Sequence, residues 1–301
     1  MKKMINRSHI EGLIYESSLE EQTAGVNAKN PGSKYISGTI SVEISESNIV
    51  PVSVFEAEFT QAGATNKKYA NMKNLISIPT VVKDGKEKAT KIRIDSALAL
   101  NDWYRPDGEL ISTLRNFNGF FHIVTDNKYT PSATFDTDIF ITSVSDDMAK
   151  NEDGDMEPTG YLVVNGFIFD FMNRIMPVKY IVEDPKGIEY FRNIEPRTFT
   201  RVWGKIVTQN IITKRVEESA FGEDKIVEFI NSRRKYIIIG ALSNPYEIET
   251  DETLKVSEVQ DALAARNVAL AALKAKNEQN KNKNTANTPS ITQNKNQEFN
   301  F

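Results

Sequence analysis

The chain has no cysteine among its 301 residues. Disulfides, thiolate metal sites and a cysteine nucleophile are therefore excluded. Histidine is nearly absent too. His9 and His122 are the only 2, too few for a multi-histidine metal centre. Neither sign of charge dominates: 37 Lys and Arg stand against 41 Asp and Glu, for a net charge of −4. A polyanion would have to be met by local patches and not by bulk charge. Long apolar runs are missing. The longest, YIIIGAL at 236–242, falls far short of the ~20 residues of a membrane helix. The opening MKKMINRSHIEG lacks the apolar segment of a signal peptide. A cytoplasmic protein with no membrane contact is expected.

Catalytic signatures are scarce as well. GKEKATK (85–91) has a Gly-Lys pair but no upstream glycine to cradle a phosphate. The acidic stretch DDMAKNEDGDME (146–157) suggests calcium. Yet Ala149 stands where an EF-hand loop would start, and Gly160 where its last carboxylate would be. It is expected to be a solvated loop. The residues call for no cofactor and no metal, and an enzyme is not expected.

What is present is mostly strand. HIEGLIYES (9–17), YISGTISVEIS (35–45) and NIVPVSVFEAEFT (48–60) are rich in β-branched and aromatic residues between Gly, Asn, Pro or Ser. A short helix is predicted at 67–77, where Tyr69, Met72 and Ile76 share a face. Strands follow at 90–102 and 114–124, with Phe117-Asn118-Gly119 suited to a bulge. The second half repeats this order: strands at 138–145, 160–171 and 174–184, a helix at 187–194, then strands at 199–210 and 234–242. An excursion over 217–234 is predicted to hold another helix. NIVPVSV (48–54) even returns as RIMPVKY (174–180), with Pro51 and Pro177 at matched places. Three strands, a helix and two strands is the element order of the OB fold. The expectation is a mainly β protein of tandem OB-like five-stranded barrels, at 1–130 and 131–250, with the prolines on each third strand.

From 251 the composition turns helical. Val256, Val259, Leu263, Leu270 and Leu273 make an a/d stripe that Arg266 interrupts, and Ser257 with Gln260 suits a capping box. Two uses are open for a helix over 251–277: docking on the body, or a homo-oligomer through 253–274. Residues 278–301, rich in Asn, Lys and Gln, have almost nothing to bury and are expected to be disordered.

Strand alternation points to a binding face. Val202, Gly204 and Ile206 form an inward set, so Arg201, Trp203 and Lys205 face out. Ile92 and Ile94 likewise turn Lys91 and Arg93 outward. On the third strands, inward Val50, Val52 and Val54 leave Phe55 outside, and Lys179 matches Ser53 in the second copy. Trp103, Tyr104 and Arg105 before a turn, and Arg115, Phe117, Phe120 and Phe121 after it, are further candidates. One of the adjacent Phe120 and Phe121 belongs to the core. Two placements are open for Trp203, a solvent-facing groove or the core beneath the excursion helix. Aromatics between cations on a barrel wall suit single-stranded nucleic acid, because rings stack on bases and cations pair with phosphates.

These barrels, faces, polar linker and terminal phenylalanines resemble the phage and bacterial single-stranded DNA-binding proteins. The resemblance implies sequence-nonspecific binding of single-stranded DNA in phage DNA replication or recombination, in the host cytoplasm. It also implies that Phe299 and Phe301 of the closing QEFNF recruit replication or recombination proteins. The alternative is a phage tail or baseplate protein, since such assemblies also use small β-barrels.

Overall fold

The computed structural model describes residues 4–26, 28–125, 129–151, 154–217, 221, 225–250 and 253–286. The first half comprises β1 (Asn6–Ser17), β2 (Glu20–Thr23), β3 (Lys34–Ser45), β4 (Asn48–Ala57), α1 (Lys67–Leu75), α2 (Val81–Asp84), β5 (Lys91–Tyr104) and β6 (Leu110–Ile123). Here β1 pairs with β3, β3 with β4, β5 with β6 and β5 with β1, all antiparallel. A short parallel ladder joins β4 to β6 and closes the ring. That is a five-stranded barrel with a helix between its third and fourth strands, the OB arrangement. The small β2 edges β3 outside the ring.

The second half comprises β7 (Ser132–Lys150), β8 (Met156–Phe169), β9 (Ile175–Val182), α3 (Pro185–Arg192), β10 (Phe199–Glu217) and β11 (Lys225–Ala241). It closes in the same order, again with a parallel ladder between third and fifth strands, β9 and β11. Pro51 and Pro177 both lie on third strands, opposite Ser41 and Phe167. Neither falls within the parallel ladders at Val52–Ser53 and Ile181–Val182. Their missing N–H groups therefore break no ladder on that side.

The alternating pattern sets the core. Val50, Val52, Ile92 and Ile94 fill the first barrel, and Val202, Ile206 and Ile238 the second. Tyr180 is fully buried against Phe135, ring centroids 4.8 Å apart, with its hydroxyl 3.1 Å from Thr137 Oγ1. Desolvation pushes that phenol well above its ordinary range. α1 buries Tyr69, Met72 and Leu75. Asn66 and Asp184 cap α1 and α3 with their side-chain oxygens.

Three segments differ from expectation. Among the described residues of 217–234 there is no helix. β10 and β11 instead run on as a long hairpin, from Val202↔Ala241 out to Glu217↔Lys225. The sequence of both strands is rich in β-branched residues, Ile211, Ile212 and Val216 on one and Ile226, Val227 and Ile230 on the other, which favours strand over helix. Residues 146–150 and 156–157 extend β7 and β8 instead of forming a loop, with Ala149↔Glu157 and Lys150↔Met156 paired. The last helix, α4 (Val256–Ala286), runs through 278–286, since nothing between Val256 and Pro289 is Gly or Pro. Its start is capped two residues earlier than predicted, and by one side chain only, with Glu258 Oε2 accepting from Lys255 N at 3.0 Å. The far tail, 287–301, lies outside the described residues.

The barrels are joined edge to edge. β1 pairs with β7 from Asn6↔Thr137 to Glu11↔Ser132. Asn48 on β4 reaches across, its Nδ2 donating to Ile206 O at 3.1 Å and its Oδ1 accepting from Thr208 N at 2.8 Å. One apolar cluster runs through both barrels. Asn48→Ala removes both links and strands the Thr208 amide. It is expected to lower stability by ~1–3 kcal/mol within a single cooperative melt. A loss too small to detect in urea titration would show that the latch is not structural.

Candidate nucleic-acid interface

Where the barrels meet, a groove of about 2060 Å³ opens between β1, β5 and β6 on one side and β7, β10 and the β8–β9 turn on the other, with α4 as its third wall. Its first side depends on a bulge. β5–β6 pairing jumps from Asp95↔Phe120 to Ala97↔Phe117. Asn118 takes φ +51° and Gly119 φ +132°, and a Cβ on Gly119 would strike the Asp95 carbonyl. The extra residue shifts the phase of the strand. Phe117 and Phe120 therefore both face the groove, while Phe121 turns into the core. Asn118 also clamps β4, accepting from Phe55 N at 2.7 Å and donating to Phe55 O at 3.0 Å.

Both rings carry a cation. The Arg115 guanidinium lies 4.7 Å from the Phe117 centroid, and Lys68 Nζ lies 4.4 Å from that of Phe120. Arg115 Nε is closed off from solvent without a hydrogen-bond acceptor, and burial pulls the guanidinium below its ordinary range. Among the described residues no carboxylate pairs with Arg115.

On the second side, Trp203 lies over Gly240, where any Cβ would collide with the indole. It is 37% exposed. This decides between its two placements: Trp203 faces the groove, and among the described residues of the excursion no helix covers it. Arg201 beside it is already engaged, its Nε 3.0 Å from Asp138 Oδ1 and 3.9 Å from Asp136 Oδ1. Burial pushes the Asp136 carboxyl up from its ordinary range, more than Arg201 pulls it down. The turn after β8 is fixed by Asp170, which accepts from Met172 N and Arg174 N, each at 2.9 Å, and from Arg174 Nε at 2.6 Å. It holds Phe171 and Met172 out in the groove mouth.

α4 is seated on its own chain. Val259 and Leu254 pack with Met4, Phe140, Phe169, Ile175 and Phe199. Arg266 forks onto Asp102 at 2.8 and 2.9 Å, and Tyr104 donates to Leu270 O at 3.3 Å. The arginine that interrupts the stripe is thus an anchor to the first barrel. Of the two uses predicted for this stripe, the structure shows the docked one within the chain: Val256, Val259 and Leu263 pack against the body.

The groove brings together five of the predicted residues, Arg115, Phe117, Phe120, Arg201 and Trp203. The others lie elsewhere. Arg93 is held by Glu11 at 2.7 and 3.3 Å, and Lys91 lies 4.9 Å from the Tyr129 ring. Phe55 packs on Tyr35, on the outer wall of the first barrel, 5.3 Å between centroids. Trp103, Tyr104 and Arg105 occupy the far tip of β5, where Arg105 pairs with Glu109 at 2.6 Å. Lys179 lies 3.7 Å from Asp147, and Lys205 is exposed beyond the groove. Phe299 and Phe301 lie outside the described residues. Sequence reasoning missed Arg7, Lys68, Phe171 and Arg174. The Asp170-to-Arg174 spacing, a self-capped turn around two exposed apolar side chains, was the signal available for the last two.

The model of the YorF family matches residues 4–276. The chain belongs to the YorF family. No curated protein matches it. Among solved structures, this YorF-family chain is similar to a deletion mutant of the single-stranded DNA-binding protein from Thermus aquaticus, with 12% identity and a TM-score of 0.47, over 84% of this chain and 100% of that one.

An outward Trp203 gives the YorF-family chain a measurable property. Trp203→Ala is expected to cost well under the ~3–5 kcal/mol of truncating a buried tryptophan. Thermal melting checks this, and a loss of that full size would return Trp203 to the core.

Proposed function

We propose that this chain binds single-stranded DNA without strict sequence readout, with the strand lying in the groove between the two barrels. The observation that carries the reading is Arg115. A partly desolvated guanidinium with no carboxylate, stacked on a ring that faces an open groove, is costly unless an anion completes it. A phosphate does so, and Phe117 below it offers a base a stacking surface. Lys68 over Phe120 repeats the motif, and Trp203 and Phe171 offer further surfaces across the groove. Each stacked base contributes ~1–3 kcal/mol. Such stacking needs unpaired bases, which favours a single strand over a duplex.

We assign the protein to phage DNA replication or recombination in the host cytoplasm, as a binding protein and not an enzyme. Recruitment of replication or recombination proteins through Phe299 and Phe301 belongs to the same proposal.

Fluorescence anisotropy with a labelled oligonucleotide tests it. Affinity is expected to fall with salt, with a log–log slope of about −0.7 per phosphate engaged. Arg115→Ala is expected to weaken binding about tenfold or more and flatten the slope by about 0.7. Lys91→Ala, outside the groove, is expected to change neither. Absence of salt-dependent binding, with the protein instead copurifying with particles, would favour the tail or baseplate alternative.

Binding also has an intrinsic reporter. Stacking is expected to quench tryptophan emission through Trp203, so that Trp203→Phe abolishes the quench and Trp103→Phe preserves it. Quenching that survives Trp203→Phe would place the strand elsewhere.

A further inference from the structure

We infer that the nucleic-acid path runs the whole length of the groove, to a second phosphate subsite on the second barrel formed by Lys235 with Ile237. The inference rests on a strand lying in the groove, as proposed above.

The argument comes from an internal two-fold axis. In each barrel an ion pair joins directly opposed residues of the first and fourth strands. Arg93 Nε donates to Glu11 at 2.7 Å, and Arg201 Nε donates to Asp138 at 3.0 Å. These pairs align β1 with β7 and β5 with β10. Ser8, three residues before Glu11, then corresponds to Phe135, three residues before Asp138. Ser8 and Phe135 also lie opposite each other in the β1–β7 ladder. An antiparallel ladder that pairs a residue with its own counterpart has a local two-fold axis at that point. The barrels are therefore arranged as in an isologous dimer, and the two walls of the groove are mates.

The walls match residue by residue. On the first, Phe120 lies opposite Asp95, Phe117 opposite Ala97 and Arg115 opposite Ala99. On the second, Gly240 lies opposite Trp203, Ile237 opposite Lys205 and Lys235 opposite Val207. Each wall keeps a ring at its centre, although the ring changes strand: Phe120 stands on β6, whereas Trp203 on β10 covers Gly240. Ile237 takes the place of Phe117, and Lys235 that of Arg115. Tyr236 and Ile238 are buried, so Lys235 and Ile237 are on the outer face with Trp203. Among the described residues no carboxylate lies within ion-pair distance of Lys235, as none does of Arg115.

The axis reverses direction along the groove, so the two cations stand at opposite ends. Arg115 is level with the start of β1: its partner Ala99 follows Leu98, whose backbone is held by the Asn6 side chain at 2.9 and 3.0 Å. Lys235 is level with the other end of the ladder. Its partner Val207 lies past Lys205, which is opposite Thr134, toward Ser132 and Glu11. About six residues of β1 separate the two levels, or ~20 Å at ~3.4 Å per residue. A strand stacked on the central rings carries phosphates toward both ends. Lys235 meets one of them as a point charge, and Ile237 gives the adjoining sugar or base an apolar surface.

The test uses the full chain and labelled single-stranded oligonucleotides of ~4 and ~16 nucleotides, the limits of the site sizes of OB folds. Lys235→Ala is expected to weaken binding of the longer one about fivefold and to flatten its salt slope by about 0.7, while leaving the shorter one, held at the Arg115 end, unchanged. Arg115→Ala is expected to weaken both. Lys150→Ala, the same loss of charge at the far tip of β7, is expected to weaken neither. Unchanged binding of the longer oligonucleotide by Lys235→Ala would overturn the inference and leave the groove reading intact, as would an equal loss in Lys150→Ala, the mark of a general charge effect. Failure of the unaltered protein to bind either oligonucleotide would overturn both. Lys235→Gln, which keeps the stem and loses the charge, gives the same readout if the alanine variant does not fold.

Discussion

The pairing of β1 with β7 is the constraint on which the rest of the structure depends. Each strand is the first of its own barrel and also a ladder partner of the other. β10, β7, β1 and β5 therefore run side by side across the junction, and their outward side chains converge on one groove. The ladder is extended by Asp138, whose amide donates to Ile5 O at 2.8 Å while its carboxylate accepts from Ile5 N at 2.7 Å. α4 then straddles the joint, packed on the second barrel through Val259 and tied to the first through Arg266.

The charge in the groove is largely spent inside the protein. Arg266 is committed to Asp102, Arg201 to Asp138 and Arg174 to Asp170. Burial pushes the Asp102 carboxyl up, but the hydrogen bonds from Arg266 and Ser112 leave it below its usual range. Among the described residues, Arg115, Lys68 and Arg7 remain without a carboxylate partner within ion-pair distance. This fits a chain with nearly balanced charge: the groove offers a few uncommitted cations among aromatic surfaces, not a uniformly basic track.

Much of the fold was legible because inward positions obey a period of two. Val50, Val52 and Val54, or Val202 and Ile206, announce a wall with one buried face, and the matched prolines place the third strand in each copy. The long hairpin of β10 and β11 was not legible, because a stretch such as DKIVEFINSRR suits helix and strand alike until a partner strand is present. The site was half legible. Alternation shows that Arg93 and Trp203 both point outward. It does not show which part of each outer wall meets the other barrel, and that depends on the β1–β7 pairing. Phe120 is outward only because the bulge at Asn118 and Gly119 inverts the strand's phase.

A joint made of backbone ladder has no hinge. Two barrels on a flexible linker could each adjust to a guest polymer, and its path would follow from the polymer's own stiffness. Here the host sets the path. Any chain threading the cleft must take the curvature that β1 and β7 impose, and contact with one barrel presents the other at a fixed distance and angle. The molecule is a template of set contour, not two beads on a string, and its footprint is a property of the fold.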